Sequence, residues 1–473
     1  MEIKYRQIVL RDMAQRDIDD WIRWYNVETE WGDWDAPDEA LEPVDPEKYR
    51  AEMEEQLKKP REGMRTFFEL DTAAGDHIGM VTSYAIDEAF HWMSWKDARA
   101  SGTFSYTLGL DICDSRFWGK GLGTQALAAF VKYFLDNGIE VLCLQTWSGN
   151  ARMIRTAQKV GFRECGRISG NRNIRGGVYD SLTFRLDTEA FRRYLLEENL
   201  WELGLSCVDT VLADYDRRPA FFQEEALRAY SEGYPISRRS PLERLVIWGC
   251  CLTGVRERYQ KMGIPYAVVQ DTFSDISFRA ERYQRKTGRP GLSKEDVIWF
   301  RHISNCHIFK LGALQFQLFH MVYLDLEGCG EDYMTFPREV KKRLPPDSPV
   351  LNVHIPEKAD LSPQSVTASF REAARFFPRY FPDHGAKAFL CYSWLLYPQM
   401  KALLPENSNI LAFAQRFQII GQVSDPYGSD AVRRIYGKRF RRKEEYPRDT
   451  VLQRNALGHF RKLGMACGLI EIT

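Results

Sequence analysis

Hydrophobic positions in the first 190 residues switch between two periods. Thr66–Asp71 and His77–Tyr84 show the two-residue alternation of half-buried strands and are joined by a turn containing Gly75. Ser105–Ile112 alternates in the same way. Leu127, Phe130, Val131, Phe134 and Leu135 then fall at helical spacing, which predicts a helix over 124–137 stopped by Asn137-Gly138. Glu140–Thr146 reads as a short buried strand, Asn150–Val160 as a helix ending at Gly161, and Tyr179–Leu186 as a closing strand before a charged helix. The order is strand, glycine-rich loop, helix, strand, helix.

Beyond residue 200 the period is helical in three stretches, 223–234, 240–263 and 293–312. The last part alternates again. Leu314–Phe319 and Met321–Leu326 read as a hairpin, and Pro349–Ile355 as a strand. Ser362-Pro363 opens a helix with serine as cap and proline at the first helical position. Ala388–Leu396 reads as a strand, Pro398–Leu404 as a helix and Phe413–Val423 as the last strand. This pattern divides the chain into 1–192, a mostly helical 193–310, and 311–473.

A chain of 473 residues exceeds one ordinary core, in keeping with that division. Its 65 cationic and 65 acidic side chains balance, which argues against a general nucleic-acid binder. The N-terminal stretch is charged from Glu2 and lacks the apolar core of a secretory signal. No run approaches the roughly 20 apolar residues of a membrane helix. The ten cysteines form no CxxC pair, so reduced thiols and a cytoplasmic location are expected, with no metal.

Candidate chemistry begins at Arg116-Phe-Trp118-Gly119-Lys120-Gly121-Leu122-Gly123-Thr124. Three alternate glycines bare backbone N–H groups where a helix starts, and those donors with the helix's positive end suit phosphate oxygens. Lys120 or Arg116 would add charge. The frame is neither a Walker loop nor a dinucleotide GxGxxG.

Four pieces, LRDMAQRDIDDWIRWYN, LGLDICDSRFWGKGLGTQAL, Asn150–Phe162 and GGVYDSLTF, together resemble the GNAT superfamily of N-acetyltransferases, and its RimJ/RimL branch in particular, over about residues 5–190. The resemblance implies an α/β (α+β) fold, a mixed sheet flanked by helices, with acetyl-CoA as acyl donor. It implies that backbone groups of Ile112 and Cys113 pair with the pantetheine arm, that N–H groups from Gly119 to Thr124 hold the diphosphate, and that Asn150 faces the thiol end. The amine attacks the thioester directly. Trp118 stands where the stricter motif has Gln or Arg. Ala157 stands where many relatives place the tyrosine that protonates the thiolate.

For a general base the candidates are Tyr106, on the central strand, and Glu69, on an earlier one; Asp111 is open between facing the cleft and facing away. Each reads equally as a hydrogen-bonded strand residue. Residues 28–55 hold twelve carboxylates against Lys48 and Arg50, with Trp31 and Trp34 among them. The resemblance implies that this region borders the acceptor cleft, where such carboxylates suit a cationic amine, a small molecule or a peptide N-terminus; it also reads as a solvated acidic loop. In the last third, His354 and Ser393 fall at strand ends without a nucleophile-elbow motif, and His302 and His307 are not at metal-ligand spacing. The run Arg433–Lys443 is basic. The region from about 200 to 470 resembles the C-terminal part of bacterial acyltransferase-like proteins, a helical segment before a second, degenerate GNAT-like domain. Three functions stay open: an active N-acetyltransferase, a coenzyme-binding sensor without turnover, and a protein with two acyltransferase halves.

Overall fold

The computed structural model describes residues 1–232, 236–425 and 429–472. The chain forms two compact units, Met1–Trp201 with Tyr215–Ala220, and Glu202–Asp214 with Phe221 onward.

The first unit is a nine-stranded mixed sheet. Its elements are β1 Glu2–Tyr5, β2 Ile8–Arg11, α1 Asp17–Asn26, α2 Pro46–Leu57, β3 Phe67–Thr72, β4 His77–Ile86, β5 Trp92–Met93, α3 Trp95–Ser101 and β6 Ser105–Ile112. There follow α4 Leu122–Asp136, β7 Leu142–Trp147, α5 Ala151–Val160, β8 Phe162–Ile174, β9 Gly177–Leu186 and α6 Thr188–Glu202. The strand order is β1-β2-β3-β4-β6-β7-β9-β8, with β5 on β4. All pairings are antiparallel except β6 with β7.

Side chains alternate across a strand, so the sheet presents two different faces. On one, Ile8, Leu10, Phe68, Leu70, Val81 and Leu108 pack against α4 and α5. Helix α4 is apolar on most of its circumference (Ala126 through Val131 are all buried), which is why it sits deep in this layer. On the other, Trp21, Trp24 and Trp31 gather with Cys113, Phe67 and Met80. Helix α1 brings Ile18, Trp21 and Trp24 inward at helical spacing.

The second unit opens with helices α7 Val208–Tyr215, α8 Pro219–Glu232, α9 Pro241–Lys261, α10 Tyr266–Thr287 and α11 Lys294–Ser304. Capping boxes, Ser240 with Glu243 and Ser293 with Asp296, start α9 and α11. The remainder comprises β10 Ile308–Leu311, β11 Leu314–His320, α12 Leu326–Cys329, α13 Arg338–Arg343, β12 Pro349–His354, α14 Pro363–Tyr380, β13 Ala388–Ser393, α15 Asn409–Ala414, β14 Gln418–Ser424, α16 Ser429–Tyr436, α17 Val451–Ala456 and β15 Gly464–Glu471. The six strands run β10-β11-β12-β13-β15-β14.

Several elements differ from expectation. The helix expected over 293–312 ends at Ser304; Cys306 takes a left-handed turn (φ 55°), and the fully buried Ile308 and Phe309 start β10. The hairpin is therefore β10 with β11, whereas Met321–Leu326 forms no strand and leads into α12. Of the strand expected at 413–423, the first residues close α15 and the last are β14. The helix expected over 223–234 is helical to Glu232, and Gly233 and Tyr234 lie outside the described residues. No helix among the described residues is long and apolar enough to cross a membrane.

Candidate active site

Strands β6 and β7 pair at only three positions, Tyr106–Leu142, Thr107–Cys143 and Leu108–Leu144. Beyond them β6 continues along β4 and β7 continues along β9, and the two part. Backbone polar groups facing such a gap need partners from elsewhere. A cleft of about 550 Å³ fills it, lined by Gly109–Ile112 on one side and Gln145, Thr146 and Asn150 on the other. That volume suits a small-molecule site.

The loop before α4 closes one end of the cleft. The Trp118 indole donates to the Ile112 carbonyl (2.7 Å) and pins the loop to the end of β6. Gly121 caps α4 with φ 78°, a left-handed conformation that side chains other than glycine's adopt only at a cost. Gln125 donates to the Gly121 carbonyl at 3.2 Å. The N–H groups of Leu122, Gly123 and Thr124 precede that bond and, by helix geometry, have no acceptor within the helix. Gly123 packs against β6: a Cβ there would meet Leu110 at 3.3 Å. Across the cleft α5 contributes Arg152, Arg155 and Lys159 to the lining. The result is a cationic, donor-rich pocket at a helix start, chemically an anion site.

Of the ten residues assigned to the coenzyme from the sequence, Ile112, Trp118, Gly119, Gly121, Leu122, Gly123, Thr124 and Asn150 line the cleft. Lys120 and Cys113 are outside the lining. Lys120 is exposed, with its ammonium 5.1 Å from the Phe117 ring centre. Cys113 points into the tryptophan cluster, its N–H donates to the Ile78 carbonyl (2.8 Å), and burial pushes its thiol up. The Ile112 carbonyl is likewise occupied, by Trp118. Arg116 adds no charge to the cleft, since it grips Asp114 through Nε and Nη2 (2.6–3.1 Å). Burial favours a neutral Asp114, but Arg116 outweighs it and holds that carboxyl below the usual range.

Asn150 caps α5 by accepting from the Met153 N–H (3.0 Å), and its Nδ2 donates to the Trp34 carbonyl (2.8 Å). Trp147 Nε1 donates to the same carbonyl (3.1 Å). Residues 31–38 are thereby fastened over the cleft. Arg172 binds Asp38 (2.6 Å), Arg175 binds Asp33 (2.7 Å), and the Arg152 guanidinium lies between the rings of Trp34 (4.5 Å) and Trp118 (4.7 Å). Trp31 is buried against Trp21 and Tyr25, with its N–H on the Trp24 carbonyl (3.2 Å). Both indoles of this strap therefore act as anchors.

The strap carries Asp35 into the cleft that Asp111 also lines. Burial, then the charge of Asp35, raises the Asp111 carboxyl well above the ordinary range. Burial and Glu39 raise Asp35, with Arg172 offsetting part of the effect. Two carboxylates repelling one another in a cleft are proton acceptors stronger than ordinary ones.

Neither catalytic candidate from the sequence reaches this place. Tyr106 and Asp111 are an odd number of residues apart on one strand, hence on opposite faces. Tyr106 packs among Phe104, Phe134 and Trp95 (5.1–5.4 Å between ring centres). Glu69 is on the Asp111 face but wholly buried, accepting from Trp21 Nε1 (3.1 Å) and bonded to His77 Nε2 (3.0 Å). Asp35 was present in the sequence only as one of twelve carboxylates. The orientation of Asp111 was readable from Leu108 and Leu110, whose apolar side chains claim the opposite face.

Asp17, Asp20 and His77 bring ligand-type atoms within 4.8 Å of one another, the one such group among the described residues. They serve each other and their neighbours. Arg11 takes both Asp17 oxygens (2.6 and 2.7 Å), and His77 is held between Asp20 (2.9 Å) and Glu69. Burial disfavours the charged imidazole, but Glu69 and Asp20 outweigh it and raise His77 above its ordinary value.

In the second unit β12 and β13 pair at Leu351–Phe389 and Asn352–Leu390 only. His354, past that point, bonds to Gln317 Oε1 (2.8 Å) and packs edge-on to Trp299; burial, with His302 and Arg279, lowers it to about 4, so it is neutral. His302 bonds to the amide of the same Gln317 (3.3 Å). Ser393 accepts from the Leu395 N–H (3.2 Å), a turn cap. At the start of α14, the Asp360 carboxylate accepts from Ser362 N (2.9 Å) and both neighbouring serine hydroxyls. The run 433–443 spans the end of α16 and an exposed loop.

Comparison with known proteins agrees with these two sheets. Residues 7–163 match the family described as acetyltransferase (GNAT) domain, 185–306 the N-acyltransferase N-terminal domain, and 308–470 the GNAT-like C-terminal domain. Among solved structures the chain is similar to an acyltransferase in complex with decanoyl-CoA and teicoplanin (22% identity, 58% of this chain and 86% of that one, TM-score 0.46). It is also similar to the RimL ribosomal L7/L12 alpha-N-protein acetyltransferase in complex with coenzyme A (13%, 39% and 97%, TM-score 0.31). A third is a GNAT-family acetyltransferase from Bacillus anthracis (14%, 39% and 98%, TM-score 0.30). No curated protein matches. The chain thus carries, in order, an acetyltransferase (GNAT) domain, an N-acyltransferase N-terminal domain and a GNAT-like C-terminal domain.

Proposed function

We propose that the first unit transfers an acetyl group from acetyl-CoA to a primary amine of a small molecule or a peptide N-terminus. The observation that carries this reading is a single cleft in which an anion-binding helix start, a gap between parted strands and a carboxyl of raised proton affinity meet. The N–H groups of Leu122–Thr124 and the cations of α5 would hold the diphosphate. The open edge of Gly109–Asp111 would orient the pantetheine arm, and the donor supplies a thioester carbonyl beside that edge.

Asp111 takes a proton from the acceptor ammonium, leaving a neutral amine that attacks the thioester carbon. A C–N bond forms and the C–S bond breaks. The nitrogen's second proton passes through water to the departing thiolate, since Ala157 offers no hydroxyl, and Asp111 releases the first to solvent. The strap excludes water and fixes the amine's approach.

Calorimetry with acetyl-CoA and thiol release over a panel of amines test this reading. Binding in the micromolar range with turnover of at least one amine is expected, about as for enzymes generally. Absence of coenzyme binding removes the reading. Binding without turnover on any amine leaves the sensor.

A second reading, in which both halves transfer acyl groups, is favoured by the pairing of β12 and β13 at only two positions, with the neutral His354 just past them. Calorimetry on the full chain discriminates, two coenzymes bound per chain supporting it and one opposing it.

A further inference from the structure

Residues 430–462 of the second unit hold eleven cationic side chains against four acidic ones, an excess that the rest of the balanced chain offsets. Among the described residues only one of the eleven, Arg434, has an ion pair, with Asp430 at 3.4 Å. Arg454 donates to the carbonyls of Arg448 and Asp449 (2.7 and 3.2 Å). Arg433, Arg439, Arg441, Arg442 and Arg461 are exposed, and among the described residues they have neither an ion pair nor a side-chain hydrogen bond.

The fold gathers these charges into one place. The rings of Tyr436, Phe440, Tyr446 and Phe460 meet with centres 4.9–6.2 Å apart. Tyr436 donates to the Gln453 carbonyl (2.6 Å), and Gln453 Nε2 donates to the Ile435 carbonyl (3.1 Å). Tyr446 donates to the Phe440 carbonyl (3.1 Å). Helix α16, the loop after it and residues 446–460 are thereby drawn into one small core. The cations flank its rings in sequence. Arg433 and Arg434 precede Tyr436, Arg439 and Arg441 bracket Phe440, and Arg461 follows Phe460. Like charges held so close repel one another, which a partner of opposite charge relieves.

The class of that partner follows from what the surface lacks. Its four rings face one another, and among the described residues of this region Val451 is the one large apolar side chain that is well exposed. A membrane surface is gripped through inserted apolar groups, and a protein interface through aromatic anchors in pockets. Bases of a single strand need free rings on which to stack. The phosphate backbone of a duplex needs none of these. Eight of the eleven cations are arginines, whose guanidinium forks match phosphate oxygens. The charge balance of the whole chain bears on general binding and not on a local patch.

We infer that the surface formed by residues 433–443 and 461–462 binds the phosphate backbone of a double-stranded nucleic acid without reading its sequence. This binding is independent of the acetyltransferase reading.

The test uses the full chain and the fluorescence anisotropy of short labelled RNA and DNA duplexes over a salt series. The expected result is a dissociation constant of about micromolar or tighter at low salt. The logarithm of the association constant should fall linearly with that of the salt concentration, with a slope of about −4.5, as for five phosphate contacts. The tighter duplex identifies the source. Arg441→Ala with Arg442→Ala makes the slope shallower by about 2, and lysine at both positions retains it. Both residues are exposed, so melting temperatures stay those of the unaltered chain. Absence of binding to either duplex overturns the inference, as does a slope that the alanine pair leaves unchanged. Tighter binding of a single strand overturns it too, and so does stronger association with phosphatidylserine–phosphatidylcholine vesicles than with either duplex.

Discussion

Replacing Gly121 by valine isolates the anion cradle from the rest of the site. A Cβ at this position meets no atom within 4 Å, so the substitution acts chiefly through the backbone. At φ 78° a β-branched residue carries a strain of about 1–2 kcal/mol. The chain relieves it by rotating toward negative φ, which turns the first N–H groups of α4 out of their common direction. A hydrogen bond to a charged group contributes about 1.5–3 kcal/mol, so losing one donor weakens coenzyme binding by roughly 10- to 150-fold. Gly121→Ala, with a smaller strain, falls between. Calorimetric titration with coenzyme A measures the affinity, and thermal melting in the absence of ligand measures the strain separately. A melting temperature lowered by a few degrees beside an affinity within twofold of the original would refute the cradle, since the backbone would have been disturbed where no phosphate sits.

Three further outcomes follow from other parts of the first unit. Asp111→Asn removes the proposed base and lowers kcat by about a hundredfold or more; in the unaltered protein the rate rises with pH through an apparent pKa above the ordinary carboxylate value, and a rate independent of pH there, or of the substitution, speaks against it. His77 is raised above its unfolded value, so its ion pairs with Glu69 and Asp20 contribute stability that is complete below about pH 6.5 and is lost as pH rises through the folded pKa; melting temperatures across pH 5–9 should fall on the alkaline side, and that fall should vanish in His77→Gln. Ala157→Tyr would restore the family's usual acid in name only, because Ala157 is wholly buried on the inner face of α5; overpacking costs about 1–3 kcal/mol, and a variant that melts normally and turns over faster contradicts this packing argument.

The parts of the fold that could be read in the sequence are those where burial is one-sided. Leu127, Phe130, Val131 and Phe134 announced α4, and Asn150 with Gly161 bracketed α5, because cap chemistry and apolar period agree there. The long arm was invisible over most of its length. Residues 163–173 of β8 are mainly exposed and polar, and they are a strand because β9 pairs with them rather than because of any pattern of their own. The final strand β15, GMACGLIE, hides for another reason: it is buried nearly throughout and holds two glycines, so it alternates with nothing. At the site, the glycine loop was legible from local chemistry. The two carboxylates of the cleft were not, since Asp35 and Asp111 lie 76 positions apart and only the strap's fastening brings them to one cavity.

One guanidinium belongs to two walls at once. Arg152 stacks on Trp34, which rides on the strap over the cleft, and on Trp118, whose indole hangs from the strand end beneath the glycine loop. Seating one substrate therefore re-tensions the surface that greets the other, and the two occupancies cannot be thermodynamically independent. Coenzyme and acceptor should accordingly change one another's dissociation constants by the same factor, a linkage that Arg152→Ala would weaken.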